Sequence, residues 1–328
     1  MATRPQGLKA NAGFHPLCGA FRSLLPRGER GGRHKAQRYP LSIPRNFFLG
    51  CAVWAYKGWV GEFYPARSRP ADFLRLYSQR LTAVEGNTTF YAVPDQETIA
   101  RWVAETSSGF AFCPKLPREL THRHLLRPSI PGALGFLKHM QGLGDRLGPL
   151  FAQLPPSYGP ALLDDLTAFL AAWPHGEAPL ALEVRHADWF REPHAGILAA
   201  LLERLGVGRV LLDTRPIYEG PDDPQVSTER RKPRLPLQPS VTAPFSLIRF
   251  ISHPAREYNR SYMEEWSGLI AHWLRQGTRI YLFVHCPIEA QSPGTARLFQ
   301  QILEQHGVSV PPLPWNTLKS PPAQLKLL

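Results

Sequence analysis

Short apolar runs that end in a polar or charged residue recur along this chain, and they constrain its fold more than any other feature. Ala83-Val84-Glu85-Gly86-Asn87, Phe110-Ala111-Phe112-Cys113-Pro114-Lys115, Leu180-Ala181-Leu182-Glu183-Val184-Arg185 and Val210-Leu211-Leu212-Asp213 have this form. So do Leu247-Ile248-Arg249 and Tyr281-Leu282-Phe283-Val284-His285. Strand side chains alternate between two faces. Ala83, Glu85 and Asn87 therefore share a face, as do Ala111, Cys113 and Lys115, and Ala181, Glu183 and Arg185. Val84, Phe112, Leu182 and Val184 point the other way. One face is bulky and apolar; the other starts small and becomes charged at the C-terminal end of the strand. A parallel barrel is built this way, with its reactive groups at the carboxyl ends of the strands.

Eight such strands are expected, at 47–53, 82–87, 110–115, 147–153, 180–185, 209–213, 245–251 and 279–285. Helical stripes separate them. Leu162, Leu166, Phe169, Leu170 and Trp173 repeat at three-and-four spacing, as do Ile197, Leu198, Leu201, Leu202 and Leu205 before Gly206. Ser261 and Glu264 have capping-box spacing at the start of a helix that Gly277 closes. The pattern breaks only at 214–244, which holds seven prolines and no helical stripe. The expected fold is a single-domain α/β protein, a (β/α)8 TIM barrel over 46–307 with a long Pro-rich insertion after strand six. A doubly wound open sheet is the alternative, but such sheets carry a Gly-rich phosphate turn after strand one, and no G-x-G-x-x-G is present.

The net charge of +12 looks like a nucleic-acid signal until it is divided along the chain. Residues 1–45 hold nine Lys/Arg and one Glu; the remainder holds 29 Lys/Arg and 25 Asp/Glu. Basicity therefore belongs mostly to the first segment, which lacks periodicity and reads as a disordered basic extension, whether a transit peptide or a solvated tail. Residues 308–328 read as a Pro-rich C-terminal tail. No apolar run reaches the ~18 residues that a membrane span requires. The four cysteines, Cys18, Cys51, Cys113 and Cys286, show no C-x-x-C spacing. Cys51 and Cys113 fall in expected strands and Cys286 directly follows one; the three read as buried apolar groups, which points to a reducing, cytoplasmic setting.

Val84-Glu85-Gly86-Asn87-Thr88-Thr89-Phe90-Tyr91 resembles the E-x-N-x-T-F-Y signature of the YecE-like family, a domain of unknown function. Further stretches carry the same resemblance. Trp54 through Tyr64-Pro65 is similar to its first strand and loop. Phe112-Cys113-Pro114-Lys115 with Thr121-His122, Gln153-Leu154-Pro155-Pro156, and Glu183-Val184-Arg185-His186 with Trp189 match later motifs. Asp213-Thr214-Arg215-Pro216, Arg249-Phe250-Ile251 and His285-Cys286-Pro287 look like the YecE branch. The resemblance spans 47–305 and implies a TIM barrel without an assigned activity. Many members end strand seven in R-x-H-G; here the stretch is Arg249-Phe250-Ile251-Ser252-His253, with the histidine displaced.

Closing the barrel brings Glu85, Asn87, Lys115, Gln153, Glu183, Arg185, Asp213, Arg249 and His285 around one rim. Arginine forks take phosphate or carboxylate, while carboxylates and amides take hydroxyls, so the set suits a small anionic, sugar-phosphate-like metabolite. In this reading Glu85, Lys115, Glu183 and Asp213 are catalytic. Trp54, Asn87, Gln153, Arg185, Arg249 and His285 bind substrate. The bland alternative makes Glu85–Lys115 and Glu183–Arg185 ion pairs that merely fill the upper barrel. Glu85, Glu183, Asp213 and His285 offer metal-ligand atoms, but Lys115, Arg185 and Arg249 compete for the carboxylates and the histidines lack ligand spacing, so no metal is expected. The sequence specifies no cofactor. Trp54, Tyr56, Trp59, Phe63 and Tyr64 either stack on a ligand or pack against helices, and packing is favoured for most. Trp54 has the parity for a ligand contact. The run Glu229-Arg230-Arg231-Lys232-Pro233-Arg234 either lies over the rim as a cationic lid or is a solvated loop. A competing class of function is a non-catalytic module that binds nucleic acid or nucleotides through the basic tail and this loop.

Overall fold

The computed structural model describes residues 45–226 and 231–318. The extension expected at 1–45 lies, except for Arg45, outside the described residues, as do Glu229 and Arg230 of the basic run and the tail beyond 318. Eight parallel strands form one sheet: β1 (Phe47–Cys51), β2 (Ala83–Gly86), β3 (Ala111–Pro114), β4 (Leu150–Gln153), β5 (Leu180–Glu183), β6 (Gly208–Asp213), β7 (Phe245–Ile251) and β8 (Arg279–His285). Their order is β3-β2-β1-β8-β7-β6-β5-β4, so sequence neighbours pair and β8 returns beside β1. Only the β3–β4 seam is loose. It is joined by bridges at Phe112–Leu147 and Lys115–Phe151, with Gly148 N–H donating to Phe112 O and Leu116 N–H to Phe151 O. The amides of Ala111 and Lys115 donate instead to Thr82 O, just before β2, and to Gly86 O at its end. By alternation Pro114 has its missing N–H on the β4 side, which removes one donor from the seam. The result is a nearly closed TIM-type barrel.

Strand parity sorts the interior. Phe48 stacks on Tyr281 toward the bottom, and Ala83, Cys113, Phe151, Ala181, Leu247 and Phe283 fill the barrel above them. The opposite faces, including Leu49, Val84, Leu182, Ile248 and Leu282, belong to a larger core under the helices. Small inward residues let strands approach; a Cβ on Gly50 would lie 1.9 Å from Ala83 O. Observed β1, β2, β3 and β5 stop one or two residues before their expected ends, where the chain turns off the ladder to build the rim.

Seven longer helices, Phe73–Ser78, Gln96–Glu105, Ile130–Met140, Leu163–Ala171, His194–Leu205, Arg260–Arg275 and Ser292–Gln305, pack outside the strands. Gly206 closes the fifth of these in the left-handed conformation, φ 65°. The capping box expected at Ser261 and Glu264 does not form. That helix has Asn259 as its N-cap, two residues earlier, and the Asn259 side chain is occupied with the His253 backbone. The sixth unit has a single helical turn, Arg215–Tyr218, and then no helix or strand among the described residues until β7. Displaced His253 receives this segment through a 3.1 Å contact with Asp222. Packing continues beyond the expected boundary at 307: Val308 and Leu313 are buried, and Trp315 meets Phe63 edge-on. Cys51, Cys113 and Cys286 are buried free thiols; Cys18 lies outside the described residues. Among the described residues, no helix is long and apolar enough to cross a membrane.

Candidate functional site at the barrel rim

The charged ends of the inward faces build two layers. The lower one is an ionic floor centred on Arg249, which is 2% exposed. Its Nε and Nη2 each donate to one oxygen of Glu85 at 2.9 Å, and Nη1 donates to Glu183. His285 lies 2.8 Å from Glu85 through Nε2, and Asn87 Nδ2 donates to Glu85 at 2.7 Å. Asn87 also reaches Ala52 O, tying β2 to β1. Burial alone would raise the Glu85 carboxyl, but Arg249 and His285 reverse this and hold it well below the usual range. Burial likewise pushes Glu183 up, and Arg249, Arg185 and Lys115 pull it down to about 2. His285 is driven by burial to about 4 against the pull of Glu85, so it is neutral and donates to the carboxylate from Nε2.

Above this floor opens a cavity of about 500 Å³. Six cationic side chains line it: Lys115, Arg118, Arg185, Arg231, Lys232 and the upper side of Arg249. Asn87, Phe90, Tyr91, His122 and Gln153 complete the wall, and no carboxylate of the described residues does. The E-x-N-x-T-F-Y string makes one side. Thr89 Oγ1 donates to Lys115 O at 2.6 Å, and the Phe90 ring centroid lies 3.9 Å from Lys115 Nζ. Gln153 Oε1 accepts from both Lys115 Nζ (2.8 Å) and Arg185 Nη2 (2.7 Å), while Arg185 Nε donates to Glu183 at 2.7 Å. Burial, reinforced by Arg249, lowers Lys115 to about 7 despite Glu183 and Glu85. Burial and then Lys115 lower His122 to about 4. Lys232, lowered to about 8 chiefly by burial, is held in the wall by its backbone: its N–H donates to Gln225 and its carbonyl accepts from Tyr218.

Of the residues expected at the site, Asn87, Lys115, Gln153, Arg185 and Arg249 line the cavity. Glu85, Glu183 and His285 lie in the floor beneath it. Two expectations fail. Asp213 points away from the barrel axis, because Leu212 is the β6 residue in register with inward Arg249. Asp213 instead pairs with Arg215 at 2.9 Å and accepts from Trp266 Nε1 at 2.8 Å. Trp54 also leaves the interior: the strand ends at Cys51, and the indole packs edge-on against Trp102 and Phe112. Both carboxylates expected to work beside Lys115, Glu85 and Glu183, are held ionised by Arg249. Trp59, Phe63 and Tyr64 are buried together against Tyr77 and Phe73, the packing role favoured for them. Arg231 and Lys232 form the part of the basic run that reaches the rim. Arg118, His122, Phe90 and Tyr91 were absent from the expected set. His122 had one signal, the Thr121-His122 pair; Arg118 had none. Among the described residues, no group of three or more His, Cys, Asp or Glu is arranged to hold a metal ion.

The family model described as "Protein of unknown function DUF72" matches residues 48–318. The UPF0759 protein YecE of Escherichia coli K12 is 34% identical over 249 residues, covering 75% of this chain and 88% of that protein. A crystal structure of a DUF72 family protein from Enterococcus faecalis aligns with TM-score 0.59 at 17% identity, covering 79% of this chain and 98% of that one. One from Thermotoga maritima aligns at 0.57 and 20%, covering 79% and 99%. At these identities the solved structures bear on the fold alone.

Proposed function

Since this chain belongs to the DUF72 family of proteins of unknown function, we propose from its geometry that the rim cavity binds a small, multiply anionic metabolite of the sugar-phosphate kind. In this reading Lys115 provides acid–base chemistry. The observation that carries it is the separation of charge between the two layers. Arg249 pairs with both carboxylates of the interior, and although Arg185 also reaches Glu183 and Arg231 reaches Asp223, no carboxylate of the described residues lines the cavity beside its cations. Crowded cations repel, and an anion relieves that repulsion while gaining charge-assisted hydrogen bonds. Arg185 retains Nη1 for such a ligand, and Arg118 makes no ion pair among the described residues. Asn87 and Gln153 offer amide groups to hydroxyls. Lys115, balanced near neutrality, can take or give a proton at physiological pH.

A cavity of about 500 Å³ suits a metabolite better than a polynucleotide. The competing nucleic-acid reading draws on the basic first segment and predicts a steep salt dependence. A thermal-shift titration with inorganic phosphate and with glucose 6-phosphate tests the proposal. Both are expected to raise the melting temperature of the wild type and to do so less in Arg118→Gln. Equal responses in wild type and variant, or stabilisation by oligonucleotide alone, would overturn it.

A further inference from the structure

We infer that Lys115 forms a covalent imine with the carbonyl carbon of a small anionic ketone or aldehyde held in the rim cavity. The inference rests on the anion-binding reading above and names its substrate class. The first support is that the buried amine, set against the Phe90 ring, has no counter-ion among the described residues. Lys115 is 5% exposed and its Nζ has one hydrogen-bond partner among the described residues, Gln153 Oε1. Its neighbours differ: Arg249 is paired with two carboxylates and Arg185 with one, whereas no carboxylate among the described residues lies within ion-pair distance of Lys115. An arginine cannot give up its charge, but a buried lysine without a counter-ion can, and the neutral amine is the nucleophile. The lowering of Lys115 to about 7 agrees with this arrangement.

The second support is space and charge in front of the amine. The cavity opens there, with Arg185 and Arg118 in its wall to hold a carboxylate or phosphate. His122 lines the same space and supplies the third. Its Nδ1 is engaged by Thr121 Oγ1 at 2.9 Å, while Nε2 has no hydrogen-bond partner among the described residues and is left to hydrogen-bond a ligand as a neutral imidazole.

In the reaction, neutral Nζ attacks the carbonyl carbon. A C–N bond forms as the C=O π pair moves to oxygen, and a proton passes from nitrogen to oxygen to give a carbinolamine. Protonation of the hydroxyl then lets the C–O bond break. Water leaves, and the nitrogen lone pair closes the protonated imine. Amine, carbonyl and one proton become iminium and water, with no change of oxidation state.

The full chain is incubated near pH 7 with pyruvate or with dihydroxyacetone phosphate in the presence of sodium cyanoborohydride, and labelled lysines are mapped by mass spectrometry. Reduced adduct is expected on Lys115 in excess over exposed lysines such as Lys57 by on the order of tenfold or more, because far more of its amine is neutral at that pH. Competing inorganic phosphate and Arg118→Gln should both lower the labelling. Lys115→Arg, which keeps the charge, should abolish it, with folding checked by circular dichroism. Labelling chiefly on Lys232, or equally on all lysines, overturns the inference. If phosphate stabilises the protein but Lys115 stays unlabelled, the imine fails and the anion site stands. If phosphate neither stabilises nor competes and no adduct forms, both fail.

Discussion

The floor and the wall of the rim cavity use the same residue types to opposite ends. In the floor, Arg249 spends all three guanidinium nitrogens on Glu85 and Glu183, and Arg185, reaching down from the wall to Glu183, supplies the second positive charge. In the wall, Arg185 is paired with Glu183 and Arg231 with Asp223, but Lys115 has only the neutral amide oxygen that it shares with Arg185, and Arg118 has no ion-pair partner among the described residues. Paired buried charges hold one another in place and offer little to a ligand. Charges left without partners are poised to meet one. The floor thus belongs chiefly to stability and the wall chiefly to binding, and variants of each should separate along that line.

The largest effect is expected in the floor. Arg249→Leu strands two buried carboxylates, and removing one partner of such a network costs roughly 3–5 kcal/mol. Denaturant unfolding should show this loss. Adding Glu85→Gln and Glu183→Gln to Arg249→Leu should return much of it, since neutral side chains have no uncompensated charge to bury. If Arg249→Leu unfolded like the wild type, the floor would not be the stabilising layer.

The wall predicts the reverse sign. The amine of Lys115 has a lower pKa in the folded protein (about 7) than its ordinary value of 10.5. Between those values the unfolded chain binds the extra proton, so stability rises as pH climbs from about 7 to 10.5 and is flat below. Lys115→Met has no such proton to lose. It should be more stable than the wild type at pH 7, by on the order of 4 kcal/mol, with the gap closing by pH 10. Lys232 titrates in both proteins and cancels from the comparison. A gap independent of pH would show that Lys115 is charged at neutrality and paired with a group in the wall.

How far this division was legible in the sequence depends on the element. Parity placed Glu85, Glu183, Lys115 and Arg249 on inward faces, because period-two alternation is strict within a strand. Alternation alone did not say which face of β6 turns inward; the register with β7, which sets Leu212 beside Arg249, turns Asp213 outward. Which carboxylate met which cation was not readable, since that depends on stagger between strands separated by up to 164 residues. Trp54 was misplaced because parity does not extend past Cys51, where the strand ends. Arg118 and His122 lie on a short turn after β3, and Lys232 in an irregular segment with no periodicity to orient it. For such residues the sequence carries charge without direction.

Binding should respond to the wall more modestly than stability responds to the floor. Arg118 is exposed, so Arg118→Gln should leave the unfolding midpoint unchanged while weakening phosphate roughly tenfold, the loss of one charge-assisted hydrogen bond. Isothermal titration reads the affinity directly. A loss of stability without a loss of affinity would move Arg118 from the binding layer to the structural one.

The smallest effect tests the residue that left the rim. Asp213 accepts from Trp266 and from Arg215, on the side of β6 away from the cavity. Asparagine keeps the shape and one acceptor oxygen but gives up the charge opposite Arg215, which also contacts Glu265. Asp213→Asn should therefore cost about 1 kcal/mol of stability, the scale of one weakened hydrogen-bonded pair. Phosphate affinity and Lys115 labelling should match the wild type, because no atom of Asp213 lines the cavity. A change in either at full stability would place Asp213 back among the groups that act on the ligand and would break the separation of floor, wall and outer face.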